Sequence, residues 1–178
     1  PGAIVYGYNS VKNAWGGNLT WDPYDVDYAP SYASGTCRDN LTWNLDSNGV
    51  LTVSGRGDMY MNNHSPSQAS YPWQDNYKEQ ITSVVVEEGV TSVGYEAFYD
   101  CTSLTDVTLP ASLTTVGSQA FSGCTGLTSI TIPASVKSIA DGVFSGCTAL
   151  TEIRFDGTAP ECDGSAFDGV TAIAYYPG

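Results

Sequence analysis

Residues 101–147 read CTSLTDVTLPASLTTVGSQAFSGCTGLTSITIPASVKSIADGVFSGC, and the stretch is one pattern written twice. Phe98, Phe121, Phe144 and Phe167 stand 23 residues apart each time. Ala97, Ala120 and Ala166 keep the same step, with Val143 in the remaining place. Ile81, Leu104, Leu127 and Leu150 do likewise, as do Val84, Val107, Ile130 and Ile153, then Val86, Leu109, Ile132 and Phe155. Four copies align without a gap. A fixed period of about 20–50 residues is the mark of a repeat architecture, and it decides the fold before any single element is considered.

Each copy reads as two extended pieces and a turn. LTDVTLP (104–110) places Leu104, Val107 and Leu109 inward at the spacing of a short strand. Pro110 and Pro133 follow, where a missing N–H ends the strand without disturbing its ladder. SLTTVG (112–117) is a second extended run with Leu113 and Val116 inward, and SQAFSGCT (118–125) suits one helical turn with Ala120, Phe121 and Cys124 on one side. A single coil of this kind cannot bury its own apolar edge, whereas stacked coils bury it continuously. The expected fold is mainly β with short helical turns, a right-handed solenoid with a parallel sheet on one face, preceded by a β-hairpin cap.

The quoted stretch resembles the BspA-type leucine-rich repeats of bacterial surface and secreted proteins and of some parasitic protists. The shared features are a Cys, Leu-x-x-Ile-x-Ile-Pro, and a small-Ala-Phe-x-x-Cys turn, and they cover residues 81–170 closely. SGTCRDNLTWNLDSNGVLTVSGRG (34–57) also resembles the stretch that precedes such repeat blocks. The resemblance implies surface exposure, adhesion and binding of host or matrix proteins. Periodicity alone implies none of these.

Three segments follow. Residues 81–178 hold the four coils and a C-terminal edge. Residues 34–80 read as an N-terminal hairpin cap, with Asp46-Ser47-Asn48-Gly49 as the turn between two alternating runs. Tyr71-Pro72-Trp73 and Tyr77 have the spacing of a Pro-started helical turn that lays Trp73 and Tyr77 over the first coil. Residues 1–33 resemble the piece that closes a repeat block, and Ala3-Ile4-Val5-Tyr6 echoes Ala172-Ile173-Ala174-Tyr175. Two arrangements fit: a slice of a tandem array in which 1–33 close the preceding block, or a segment that caps the C-terminal edge of another copy in a head-to-tail or swapped assembly.

Composition narrows the function. The 178 residues suffice for one domain, 19 acidic against 6 basic side chains give a formal charge of −13, and charged residues make up only 14%. Nucleic acid and anionic membranes are bound by neutralising phosphates, so neither is expected as a partner. No apolar run is long enough for membrane insertion. Pro1-Gly2-Ala3 lacks the basic start and apolar stretch of a signal peptide, so an exported chain would have lost its signal before this point.

Catalytic and metal chemistry find little support. Cys101, Cys124 and Cys147 share one repeat position, and Cys162 follows Val93, Val116 and Ile139 at the same step, so all four read as small buried core groups. Cys37 lies outside this ladder. Zinc would need convergent Cys or His ligands that the spacing does not supply. His64, the single histidine, sits in the polar loop NNHSPSQ, far from the packed setting of a catalytic imidazole. Asp22, Asp25 and Asp27 could share a calcium ion, yet the EF-hand spacing is absent and no cofactor is implied. Trp15, Trp21, Trp43 and Trp73 read first as the core of the cap and second as sugar-stacking rings.

Outward residues of the coil strands remain as the candidate site: Ser83, Val85, Asp106, Thr108, Ser129, Thr131, Glu152 and Arg154, flanked by Glu87, Pro110 and Asp156. The chain therefore reads as a non-enzymatic, secreted or cell-surface module that binds an extracellular protein of a host or matrix through the sheet face. A carbohydrate-binding module using the N-terminal Trp and Tyr residues, or a spacer in a larger surface protein, are the alternatives.

Overall fold

The computed structural model describes residues 31–38, 40–59 and 71–177. In chain order the strands are β1 (Ser31–Arg38), β2 (Leu41–Asp46), β3 (Val50–Gly55), β4 (Gly57–Asp58), β5 (Ser83–Val86), β6 (Val90–Val93), β7 (Asp106–Thr108), β8 (Thr115–Val116), β9 (Ser129–Ile132), β10 (Ser138–Ile139), β11 (Glu152–Phe155), β12 (Glu161–Cys162) and β13 (Ile173–Tyr175). The helical content among these residues is one 3-10 turn at Lys78–Gln80. The architecture is a parallel β-solenoid of about four turns. Calcium through Asp22, Asp25 and Asp27, His64, and the rings of Trp15 and Trp21 fall outside the described residues.

Each coil contributes a front strand, a back strand and a turned third side. At the front, β1, β2 and β3 pair antiparallel, then β3, β5 and β7 pair parallel. A second front sheet holds β9, β11 and β13, also parallel. The back sheet runs without a break as β4, β6, β8, β10 and β12. Its register pairs Thr115 with Ser138 and Ser138 with Glu161, a step of 23 residues, so the sequence period is the hydrogen-bonding period. The hairpin turn between β2 and β3 forms where it was expected. Asp46 Oδ1 accepts the N–H of Asn48 (2.8 Å) and Val50 (2.9 Å), and Gly49 supplies the left-handed backbone at φ 83°.

The turned side differs from the expected helical turn. Residues 118–125 form tight i to i−3 turns, with Ala120 N–H bonded to Gly117 O and Cys124 N–H to Phe121 O. Alternate N–H groups leave the coil instead: Phe98 donates to Ala120 O (2.8 Å), Phe121 to Val143 O (3.0 Å) and Phe144 to Ala166 O (2.8 Å). A helix would spend all of these donors internally. Sharing them between coils makes the third side a ladder too. It requires positive φ at Glu96, Gln119 and Gly142, one repeat position, and at Asp100, Gly123, Gly146 and Gly169, another.

Inside, the phenylalanines form one column. Phe98–Phe121, Phe121–Phe144 and Phe144–Phe167 have ring centroids 5.3, 5.7 and 5.4 Å apart, with interplanar angles of 17°, 3° and 12°. Trp73 closes the N-terminal end, stacked on Phe98 at 5.9 Å, and its indole N–H donates to Ala97 O at 2.7 Å. Trp43 packs edge-on against Trp73, so both rings serve the core. Pro110, expected to face outward, is buried.

The column predicts a gradient. Phe121→Ala, with rings on both sides, is expected to lower unfolding free energy by about 3–5 kcal/mol. Phe167→Ala, at the half-buried end, is expected to cost clearly less. Urea unfolding of both variants checks this.

Candidate functional site

The outward residues of the front strands form two rows, because side chains alternate along a strand and the coils stack in register. One row runs Val50, Ser83, Asp106 on the first sheet and Ser129, Glu152, Ile173 on the second. The other runs Thr52, Val85, Thr108 and then Thr131, Arg154, Tyr175. Asp106, Thr108, Ser129, Thr131 and Arg154 are exposed, whereas Ser83, Val85 and Glu152 are half-buried. Ladder bonding is interrupted between β7 and β9, so the eight candidate residues fall into two groups of four, each held by its own sheet.

The rows are chemically graded. Toward the N-terminal end Ser83 Oγ approaches Asp106 Oδ2 at 3.5 Å among small hydroxyls and Val85. At the C-terminal end Arg154 pairs with Glu152 and lies over the Tyr175 ring, 5.2 Å from its centroid. The hydrogen bond and charge of Glu152 hold the guanidinium further into its charged form. Arg154 is thus braced from two sides.

Ile173 and Tyr175 extend both rows, and sequence reasoning missed them. The repeat phase would put Ile173 in the buried place of Leu150. The last step is 21 residues, however, pairing Glu152 with Ile173 and Arg154 with Tyr175, so Ile173 is 63% exposed. The shortened final coil carries no signal in the repeat itself.

The cysteines divide. Cys101, Cys124 and Cys147 are buried, and the thiols of Cys124 and Cys147 donate to Phe98 O (3.2 Å) and Phe121 O (3.0 Å) one coil back. Burial pushes the Cys101 thiol up to about 12 and that of Cys147 to about 11. Cys162 departs from expectation. It is exposed, and among the described residues its strand, β12, ends the back sheet. Cys37 is half-buried, and desolvation raises it to about 11.

No group of three or more His, Cys, Asp or Glu residues among the described ones could hold a metal ion, and no helix there is long and apolar enough to cross a membrane. An open recess of about 340 Å³ lies by the turn between β2 and β3, lined by Tyr32, Asp46, Asn48 and Gln80. None of the residues of the two rows lines it.

The family model of the BspA type leucine rich repeat region matches residues 76–176 in six copies. Among solved structures, a leucine-rich repeat protein from Bacteroides ovatus is 28% identical, with a TM-score of 0.50 over 56% of this chain and 31% of that one. A leucine-rich repeat protein from Eubacterium ventriosum is 24% identical at a TM-score of 0.47, covering 70% of this chain and 44% of that one. A leucine rich cell surface protein from Faecalibacterium prausnitzii is 23% identical at a TM-score of 0.38, covering 84% and 55%. This chain therefore spans about a third to a half of the length of these structures. No curated protein matches it.

The thiols predict an alkaline transition. A thiol whose folded pKa is raised favours the folded state fully below its unfolded value, near 9, and loses that contribution as pH climbs toward the folded value. Melting temperature should hold steady up to about pH 9 and fall between about 9 and 12. Thiol labelling at neutral pH should modify Cys162 first and reach Cys101, Cys124 and Cys147 only after unfolding.

Proposed function

The chain belongs to the BspA-type leucine-rich repeat family, and from that premise we propose that it is a secreted or cell-surface module that binds a host or matrix protein through the front face. Members of repeat families of this kind serve as binding or scaffold modules, and the coils here are built to support a surface. One observation carries the reading: the two rows of outward side chains run across successive hydrogen-bonded coils and end in the braced Glu152–Arg154–Tyr175 group. Arg and Tyr are enriched where interfaces concentrate their energy, since both combine apolar area with directional polar contacts.

Charge sets the partner's chemistry. Asp106 and Glu152 lie in the rows of a chain with net charge −13, so a complementary surface is basic at its rim. The partner's centre would need apolar or aromatic groups to meet Val85, Ile173 and Tyr175. Four coils offer a modest area, which favours moderate affinity that gains strength by multivalent display. The surface location of the Faecalibacterium protein is a property of that protein; it supports, for this chain, the expectation of an extracellular setting.

An array of extracellular-matrix proteins and glycans probed with this chain tests the reading. Binding to a protein is expected, reduced at least tenfold in the variant Asp106→Ala, Thr108→Ala, Thr131→Ala, Arg154→Ala. Binding to glycans alone, lost on changing Trp15 or Trp21, would favour the carbohydrate reading, and no binding at all would favour a spacer.

A further inference from the structure

The recess beside the turn between β2 and β3 is assembled from three parts of the chain. Tyr32 comes from β1, Asp46, Ser47, Asn48 and Gly49 from the turn, and Gln80 from the 3-10 turn. The turn is fixed against the first coil. Thr82 N–H (2.9 Å) and Ser83 N–H (3.3 Å) donate to Gly49 O, and the Thr82 hydroxyl donates to Asn48 O at 3.0 Å. Glycine is required at position 49, since a Cβ there would meet Gln80 O at 2.4 Å. Tyr32 is 59% exposed, and its ring makes an edge contact with Tyr77, centroids 5.9 Å apart. The walls are set before any ligand arrives.

Its chemistry selects a cation. Asp46 is the one charged residue of the lining among the described residues. Asp46 Oδ1 already accepts the N–H groups of Asn48 and Val50, whereas Oδ2 has no hydrogen-bond partner among the described residues. That oxygen is open to a donor, and a chain at −13 raises the local concentration of cations around it. Ser47, Asn48 and Gln80 are exposed and add neutral side-chain oxygens. A guanidinium has five donors, no acceptor and a plane that stacks on aromatic rings. It suits a carboxylate beside an exposed tyrosine better than a compact ammonium does. The volume of about 340 Å³ is many times the ~30 Å³ of one water, enough for the end of a long side chain. Position matters as well. Gly49 precedes Val50 and Thr82 precedes Ser83, the first two members of the row that continues to Asp106. A partner lying on the front face therefore meets the recess at its edge.

We propose that this recess binds an arginine side chain of the partner protein, its guanidinium bonded to Asp46 Oδ2 and stacked on Tyr32. The assignment rests on the reading of the front face as a protein-binding surface, and it gives that surface a specificity pocket.

Titration of the full chain with N-acetyl-arginine amide, and separately with its neutral analogue N-acetyl-citrulline amide, tests the proposal by amide NMR shifts. The arginine probe should move the amides of residues 32, 46–50 and 80, and the citrulline probe should bind about tenfold more weakly. Asp46→Asn keeps an oxygen for the Asn48 and Val50 N–H groups while removing the charge. It should preserve the turn's own shifts and weaken the arginine probe about tenfold. Tyr32→Ser should also weaken it, Tyr32→Phe should restore it, and Arg154→Ala should leave it unchanged. Equal response to both probes, full binding by Asp46→Asn, or shifts as large at Glu161 and Asp163 as at the recess would overturn the assignment. None of these outcomes touches the front-face reading. That reading fails separately, when the variant at Asp106, Thr108, Thr131 and Arg154 keeps its matrix ligand.

Discussion

Stacking of identical coils at a fixed 23-residue step is the constraint on which every other feature depends. A coil this short has too little interior to exclude water from its own apolar edge. Laid against a neighbour, it hides Phe on Phe, and apolar side chains recur at the same buried positions one coil away. The same step satisfies the backbone. The unbroken back ladder, the front ladders on either side of the break between β7 and β9, and alternate N–H groups on the turned side find acceptors in the adjacent coil. Hydrophobic burial and hydrogen bonding thus demand one and the same spacing. A one-residue slip would break both at once.

That double constraint explains what a reader of the sequence can and cannot see. The phenylalanine column, the paired strands and the Asp46–Gly49 hairpin turn follow from periodicity and turn chemistry, which are local or strictly repeated. The turned side is harder. SQAFSGCT has helical spacing of its apolar residues, yet its donors are better used between coils, a tertiary effect that no single segment reveals. Strand β1 is harder still, since SYASGTCR carries Ser and Gly and forms as an edge on β2. At the far end the period itself misleads: Cys162 keeps a core position yet is exposed, with no strand beyond β12 among the described residues, and Ile173 is moved outward by a step two residues short. Repeats specify their middles well and their ends poorly, because an end is defined by the neighbour it lacks.

Function follows from the same geometry. Building a core from stacked edges leaves the opposite side of each front strand outward, in rows whose spacing is set by the ladder. Eight outward residues could be chosen from the sequence by alternation, and the structure places them in two groups of four on adjoining sheets. What alternation could not supply is the bracing of Arg154 by Glu152 and Tyr175, which depends on the shortened final step. A support of this kind favours recognition of a surface, with the solenoid giving rigidity and the outward side chains giving identity.

The most direct test of the stacking account is excision of one coil. Removing residues 104–126 joins Ser103 to Leu127, preserves the phase of every repeat position, and should leave a protein that still unfolds cooperatively with its β-sheet circular dichroism intact. Removing residues 104–115 cuts less of the chain but puts every later coil out of phase, and should leave it unfolded or aggregated. An unfolded product of the first excision, or a cooperatively folded product of the second, would contradict the account.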